Sequence, residues 1–306
     1  MNLAHIHIVL NHVPSLGSIA GLLLLAVGIY KKDEAIKQFA YGVLVLITMA
    51  VLPTYISGAE AQRIVEKNPS YSAGMVQLHQ NAAMITLLAM TAAGMFAWFG
   101  IWEYRRHSRS GSLTTMVTLI STMAAVAFVF VTANIGGKIS HLEIRDAADA
   151  AVTEAVGWRL PIERFVNDHA WVWPTLEMIH YVGMAFLFGV STIYLFRMLG
   201  IMKGISFPAL HRLLPMAIIG FVLNTMTGMI FFIASPQLYL GKQGFHIKIL
   251  GILLATVPIL YFTMFDQPWK VQADDDVPTA VKIAAVATFV LVVAVMIYGR
   301  FLPWIN

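Results

Sequence analysis

Cysteine is absent from all 306 residues. That absence excludes disulfides, thiolate-bound metals, iron–sulfur clusters and covalently attached c-type haem, so any metal or cofactor must be held by histidine, methionine or carboxylate. Charge is nearly as scarce: Asp, Glu, Lys and Arg make up 12% of the chain against 58% hydrophobic residues, a balance far outside that of soluble domains. An integral membrane protein is expected. No basic n-region precedes the first apolar run and no small-residue cleavage site follows it, so no cleavable signal peptide is expected. The net charge of +4 is mostly a matter of which loops hold Lys and Arg, and no nucleic-acid partner is read from it. The two halves of the sequence show no convincing repeat.

What is there is length of apolar run. Crossing about 30 Å of hydrocarbon takes roughly 20 mostly apolar residues. Eight stretches meet that need, near 8–30, 38–57, 76–102, 113–136, 172–197, 209–234, 246–265 and 279–300. They are continuous rather than alternating, which predicts helices and not barrel strands. The expected fold is an all-α integral membrane protein whose eight transmembrane helices form two four-helix bundles, with amphipathic surface helices between them. The boundaries fall at residues 1–145, 146–171 and 172–306. Lys31, Lys32 and Lys37, then Arg105, Arg106 and Arg109, then Arg197, Lys203 and Arg212 mark three cytoplasmic loops. Both termini then lie outside, which in a bacterial inner (cytoplasmic) membrane means the periplasm. In the longest polar stretch, Ile144, Ala147, Ala148, Ala151, Val152, Ala155 and Val156 recur at helical spacing among acidic and basic residues. This predicts an amphipathic helix on the outer surface. A second short helix is predicted over Ile162 to Trp173, ahead of Pro174, and Asp274-Asp275-Asp276 reads as a solvated turn.

Most of the ten histidines fall within two helical turns of the predicted outer surface. His5, His7 and His12 lead into span 1, His79 starts span 3, His141 follows span 4, His169 and His180 flank the start of span 5, and His246 begins span 7. Only His107 and His211 lie at the other face. An imidazole in a membrane helix is rare without a partner or a task. Bundle cofactor sites are built from facing helices at one level, and bis-histidine ligation is what a buried b-type haem needs when cysteine is absent. His12 and His79 fit that pairing. His5 or His7 with His141 offers a second outer pair, and His180 with His246 a third in the second half, whereas His211 is too far from His180 to share an iron. The plainer reading is an interfacial or capping ring. It suits His107 and His169 best, then His211, and competes evenly at His5, His7, His141 and His246.

Glu177 shares a helix face with His180 in an E-x-x-H spacing, but no second such motif completes a di-iron set. Glu177 therefore reads as a group orienting His180, as a proton or quinone group, or as an interfacial carboxylate. Asn224, Thr225 and Thr227 beside Gly220 and Gly228 suit close helix packing. Gly136-Gly137 suits close approach of a neighbour or a flat ring, or simple helix termination. The 17 methionines are chiefly packing residues, although one could serve as an axial ligand.

The pattern His7-x4-His12-Val13-Pro14, Pro53-Thr54-Tyr55-Ile56-Ser57-Gly58-Ala59-Glu60-Ala61, His79, and Gly136-Gly137-Lys138-Ile139-Ser140-His141 resembles a bacterial family of uncharacterised four-helix membrane domains. That family is similar to haem-binding transmembrane cytochromes b. The likeness covers residues 1–145 and implies His7, His12, His79 and His141 as haem-binding positions. Residues 172–306 resemble a second uncharacterised four-helix membrane family through Leu176-Glu177-x2-His180-x8-Gly189, Leu210-His211-Arg212-Leu213-Leu214-Pro215, Thr227-Gly228 and Gly299-Arg300-x2-Pro303. That likeness favours His180 and His211.

The expectation is a membrane b-type cytochrome holding one to three haem b groups, with iron ligands drawn from His12, His79, His7, His141 and His180, and with His246 and His211 as further haem contacts. It would transfer electrons between the quinone pool and a periplasmic or membrane-bound cytochrome c or other redox subunit, with Glu177 or Lys138 near a quinone head group. It would act as part of a larger respiratory complex. The alternative is a cofactor-free transporter or scaffolding subunit whose histidines relay protons; against it stand the missing inverted repeat and the scarcity of charge in span centres.

Overall fold

A backbone in hydrocarbon must satisfy its own hydrogen bonds, and a helix does so within each segment. The computed structural model describes residues 3–65, 67, 71–146, 149, 161–271 and 276–302, and every regular element among them is helical. Eight helices are long and apolar enough to cross a membrane: Ala4–Tyr30, Glu34–Val65, Ala73–His107, Ser112–Ile139, Val172–Met198, Phe207–Ala234, Gln243–Met264 and Thr279–Phe301. They are called spans 1 to 8 below. The chain is thus a multi-pass membrane protein.

Local chemistry sets where the spans break. Pro14 has no N–H and its ring crowds the preceding turn, and span 1 accordingly divides into Leu3–Leu10 and His12–Tyr30 at Asn11. Both His5 and His7 therefore lie inside a helix rather than ahead of one. Span 2 begins where Asp33 Oδ1 accepts the backbone N–H groups of Ala35 and Ile36 at 2.8 and 3.1 Å, an N-cap. Span 5 ends at Gly200, whose φ of 81° lets Ile201 N reach back to Phe196 O at 2.9 Å, a closure glycine favours. The short helix expected over Ile162 to Trp173 is instead Pro161–Asp168, and span 5 already starts at Val172. The reason is Pro174, which is tolerated in a helix's first turn and so joins the span rather than preceding it. The amphipathic helix expected through Val156 and most of the Asp274-Asp275-Asp276 turn lie outside the described residues.

Packing separates the chain into two units, Met1–Gly100 with Ser110–Phe165, and Ile101–Arg109 with Val166–Asn306. In the first, Thr48 Oγ1 donates to Met90 O at 2.9 Å and the buried Tyr41 hydroxyl meets Thr115 Oγ1 at 2.9 Å. The carboxylate of Glu34 pairs with Lys37 and accepts both Ser110 N and Ser110 Oγ.

In the second unit, Arg197 is 2% exposed, donates Nε to Ile205 O at 2.5 Å and lies 4.0 Å over the Phe207 ring. The Tyr194 hydroxyl donates to Leu210 O at 2.9 Å. Arg197 thus ties span 5 to the start of span 6 by charge-assisted bonding and ring stacking. Arg197→Ala leaves a buried carbonyl unpaired and is expected to cost roughly 2–4 kcal/mol. A fall in the unfolding midpoint of the detergent-solubilised chain measures it, and Arg197→Lys should fall between.

Candidate functional site

In an α-helix the carbonyl of residue i faces the side chain of residue i+4, which leans back over it. Glycine at i+4 leaves that carbonyl open to a neighbour. Span 2 has such a notch at Thr54 and Gly58, and span 4 has one at Thr132 and Gly136. A histidine ring sits in each. His7 Nδ1 lies 3.0 Å from Thr54 O and 3.4 Å from Ser57 Oγ, and His79 Nδ1 lies 3.0 Å from Thr132 O. A Cβ at Gly58 would stand 2.8 Å from His7 Cε1, and one at Gly136 would stand 2.9 Å from His79 Cε1. Only glycine leaves room for these rings.

The acceptors decide the tautomer. A carbonyl cannot donate, so Nδ1 carries the proton in both rings and Nε2 keeps its lone pair. No hydrogen bond reaches either Nε2 among the described residues. A metal-ligating histidine normally donates its other N–H to a fixed acceptor, which orients the ring; these two are so prepared. Asn11, one turn beyond His7, and Asn81, two residues beyond His79, also present buried side-chain atoms, Oδ1 and Nδ2, with no hydrogen-bond partner among the described residues.

The second unit repeats the device with one change. His180 Nδ1 lies 2.7 Å from Thr227 Oγ1, whose own proton goes to Leu223 O at 2.6 Å. Thr227 therefore accepts from Nδ1, and His180 Nε2 again keeps its lone pair. Gly228 lies beside the ring, and Phe231 meets it edge-on at 5.9 Å. Lys248 lies in span 7 of the same unit. Lys248 Nζ leans on Gly299, where a Cβ would stand 3.1 Å away.

The remaining expected positions are placed apart from these pairs. His12 is exposed, with Nδ1 3.2 Å from Ile8 O on its own helix. His5 is exposed. His141 is exposed and bound to Glu143 Oε1 at 2.9 Å. Lys138 reaches Asp149 at 2.8 Å and Asp146 at 3.5 Å. Glu177 Oε1 accepts Trp173 Nε1 at 3.3 Å. His246 meets Phe245 edge-on at 6.1 Å. His211 stacks edge-on with Trp269 at 4.8 Å, about 24 Å along span 6 from Thr227. Among the described residues no group of three or more His, Asp and Glu side chains converges as a multi-ligand metal centre needs; a two-histidine clamp is a smaller device. Sequence reasoning passed over Thr132 and Lys248. Thr-x3-Gly closes both span 2 and span 4, but which histidine meets each glycine is set by the packing of another helix.

Compared with protein-family models, with curated proteins and with solved structures, the chain matches none.

Outside the spans, burial pushes the Tyr239 phenol up to about 12. The Glu143 carboxyl is lowered by its own backbone N–H and then by His141. Asp149 is held below the usual carboxylate range, first by the hydrogen bond from Lys138. The stabilisation from Asp149 is therefore complete above the ordinary Asp value near 4, declines below it and is lost as pH falls through the depressed native value. The protection of the Asp149 amide against exchange, taken relative to the intrinsic rate at each pH from 6 downward, should fall only below about pH 4.

Neighbouring glycines provide a second check. Gly136→Ala drives a methyl into His79 and should destabilise by roughly 1–3 kcal/mol. At Gly137 an added Cβ meets only Ile144 Cδ1 at 3.7 Å, so Gly137→Ala should stay within about 0.5 kcal/mol. Unfolding midpoints of the two variants decide it.

Proposed function

We propose that this chain is a membrane-integral b-type cytochrome whose first unit clamps one haem between His7 and His79. The observation that carries the reading is the pair of Nδ1–H···O=C bonds, which leaves an oriented Nε2 lone pair on each of two rings in the same unit. Bis-histidine ligation of a haem without thioether bonds asks for that donor set, and a cysteine-free chain can offer no thioether anchor. When bound, the haem supplies reversible one-electron chemistry. The protein's part is orientation. Thr54 O and Thr132 O hold the rings, Gly58 and Gly136 make room for them, and the apolar spans exclude water. The open side-chain atoms of Asn11 and Asn81 offer hydrogen-bonding partners to polar edges nearby.

This reading places His7 and His79 ahead of the His12–His79 pairing expected from depth alone, since His12 faces outward and bonds its own helix. The task is electron transfer between the quinone pool and a redox partner such as a c-type cytochrome, as a subunit of a respiratory or other electron-transfer complex. The Lys and Arg bias of the loops supports an orientation in a bacterial inner membrane with the termini and the His7 and His79 ends toward the periplasm.

The purified chain should show a Soret band and, after dithionite, a split α band. Replacing His7 or His79 with Ala should each remove most of the haem, whereas His5→Ala and His12→Ala should leave the haem-to-protein ratio within about 20% of native, because neither ring is seated in a glycine notch. A protein without a Soret band would instead favour the cofactor-free transporter or scaffold.

A further inference from the structure

Trp102, near the end of span 3, belongs to the second unit and is held there on two sides. Its Nε1 donates to His211 O at 3.4 Å, and its ring packs against the buried cluster that contains Tyr194, Leu210 and Phe262. A helical side chain leans back over the preceding turn. Arg106, one turn later, accordingly lies over this fixed indole, with Cζ 5.6 Å from the ring centroid. Arg105 is engaged elsewhere: it donates to Asp266 Oδ1 at 2.9 Å and to Met264 O. The second oxygen of Asp266 has Lys270 Nζ at 3.8 Å, so that carboxylate is already shared by two cations. The Arg106 guanidinium makes no hydrogen bond or ion pair among the described residues. Neither does the side chain of Arg212, which directly follows the His211 carbonyl that Trp102 holds. Two uncompensated guanidiniums thus belong to residues on either side of the Trp102–His211 hydrogen bond.

We infer that Trp102, Arg106 and Arg212 form a head-group site for an anionic phospholipid, at the end of the second unit remote from His180. A planar guanidinium matches a phosphate through two parallel N–H donors, and one already stacked on an indole loses less freedom when it binds. Tryptophan at a span end marks the depth at which lipid head groups lie. An apolar surface is present too: Phe265, next to Asp266, is 55% exposed, so a ligand with an acyl chain gains a contact that free phosphate lacks. Basic groups gathered at the ends of membrane helices take acidic lipid head groups by the same chemistry. The site does not depend on haem, since it uses none of His7, His79 and His180.

The test is native mass spectrometry of the detergent-solubilised full chain titrated with dioleoylphosphatidylglycerol, with dioleoylphosphatidylcholine and inorganic phosphate as comparisons. One phosphatidylglycerol retained per chain, in preference to phosphatidylcholine, is expected. Arg106→Gln and Arg212→Gln should each weaken its binding about 5-fold, the effect of one basic residue at a membrane surface. Arg106→Lys keeps the charge but not the planar fork and should fall between. Lys203→Gln removes the same charge from an exposed position in the loop after span 5 and should leave binding unchanged. Equal affinity for the two lipids, unchanged binding in Arg106→Gln, or an equal loss in Lys203→Gln would each overturn the inference. So would displacement of the lipid by inorganic phosphate, which would assign the two arginines to a free anion instead. Variants are compared where elution profile and unfolding midpoint match the native chain, and Arg212→Gln decides the matter if Arg106→Gln does not fold.

Discussion

An imidazole in a membrane interior has two nitrogens to satisfy and little water to satisfy them, so whatever takes the first determines what the second can do. Here the first is taken by the backbone. The carbonyls of Thr54 and Thr132 fix Nδ1 of His7 and His79, and they can do so only because Gly58 and Gly136 carry no side chain to cover them. The placement of both rings follows from that constraint. It gives each ring one tautomer, one direction and one bare lone pair, before any ligand is considered.

The second unit reaches the same end through a different acceptor. Its histidine is oriented through Thr227 rather than through a carbonyl, yet the outcome at Nε2 is the same. A ring held this way presents a fixed acceptor to whatever approaches it.

The eight spans were legible in the sequence because the thickness of a bilayer imposes a run length that few other structures need. Their ends were less so. Span 1 starts at Ala4 rather than near residue 8, since the break made by Pro14 at Asn11 allows a short helix before it. The depth of the histidines was readable, but their seating was not. Whether His7 or His12 turns inward depends on a glycine some fifty residues away on another helix, and no local periodicity reports such a match. Thr132 and Lys248 escaped notice for the same reason, because a backbone carbonyl and a lysine near a span end look ordinary until the partner helix is in place.

The central claim is that the bare Nε2 atoms of His7 and His79 hold one iron between them. Anomalous diffraction at the iron edge, from crystals of the chain purified without added haem, tests it most directly. One peak lying between those two atoms, within a planar macrocycle, is expected. A structure with no iron at that position, or with iron bound by other residues while His7 and His79 keep only their bonds to Thr54 and Thr132, would contradict it.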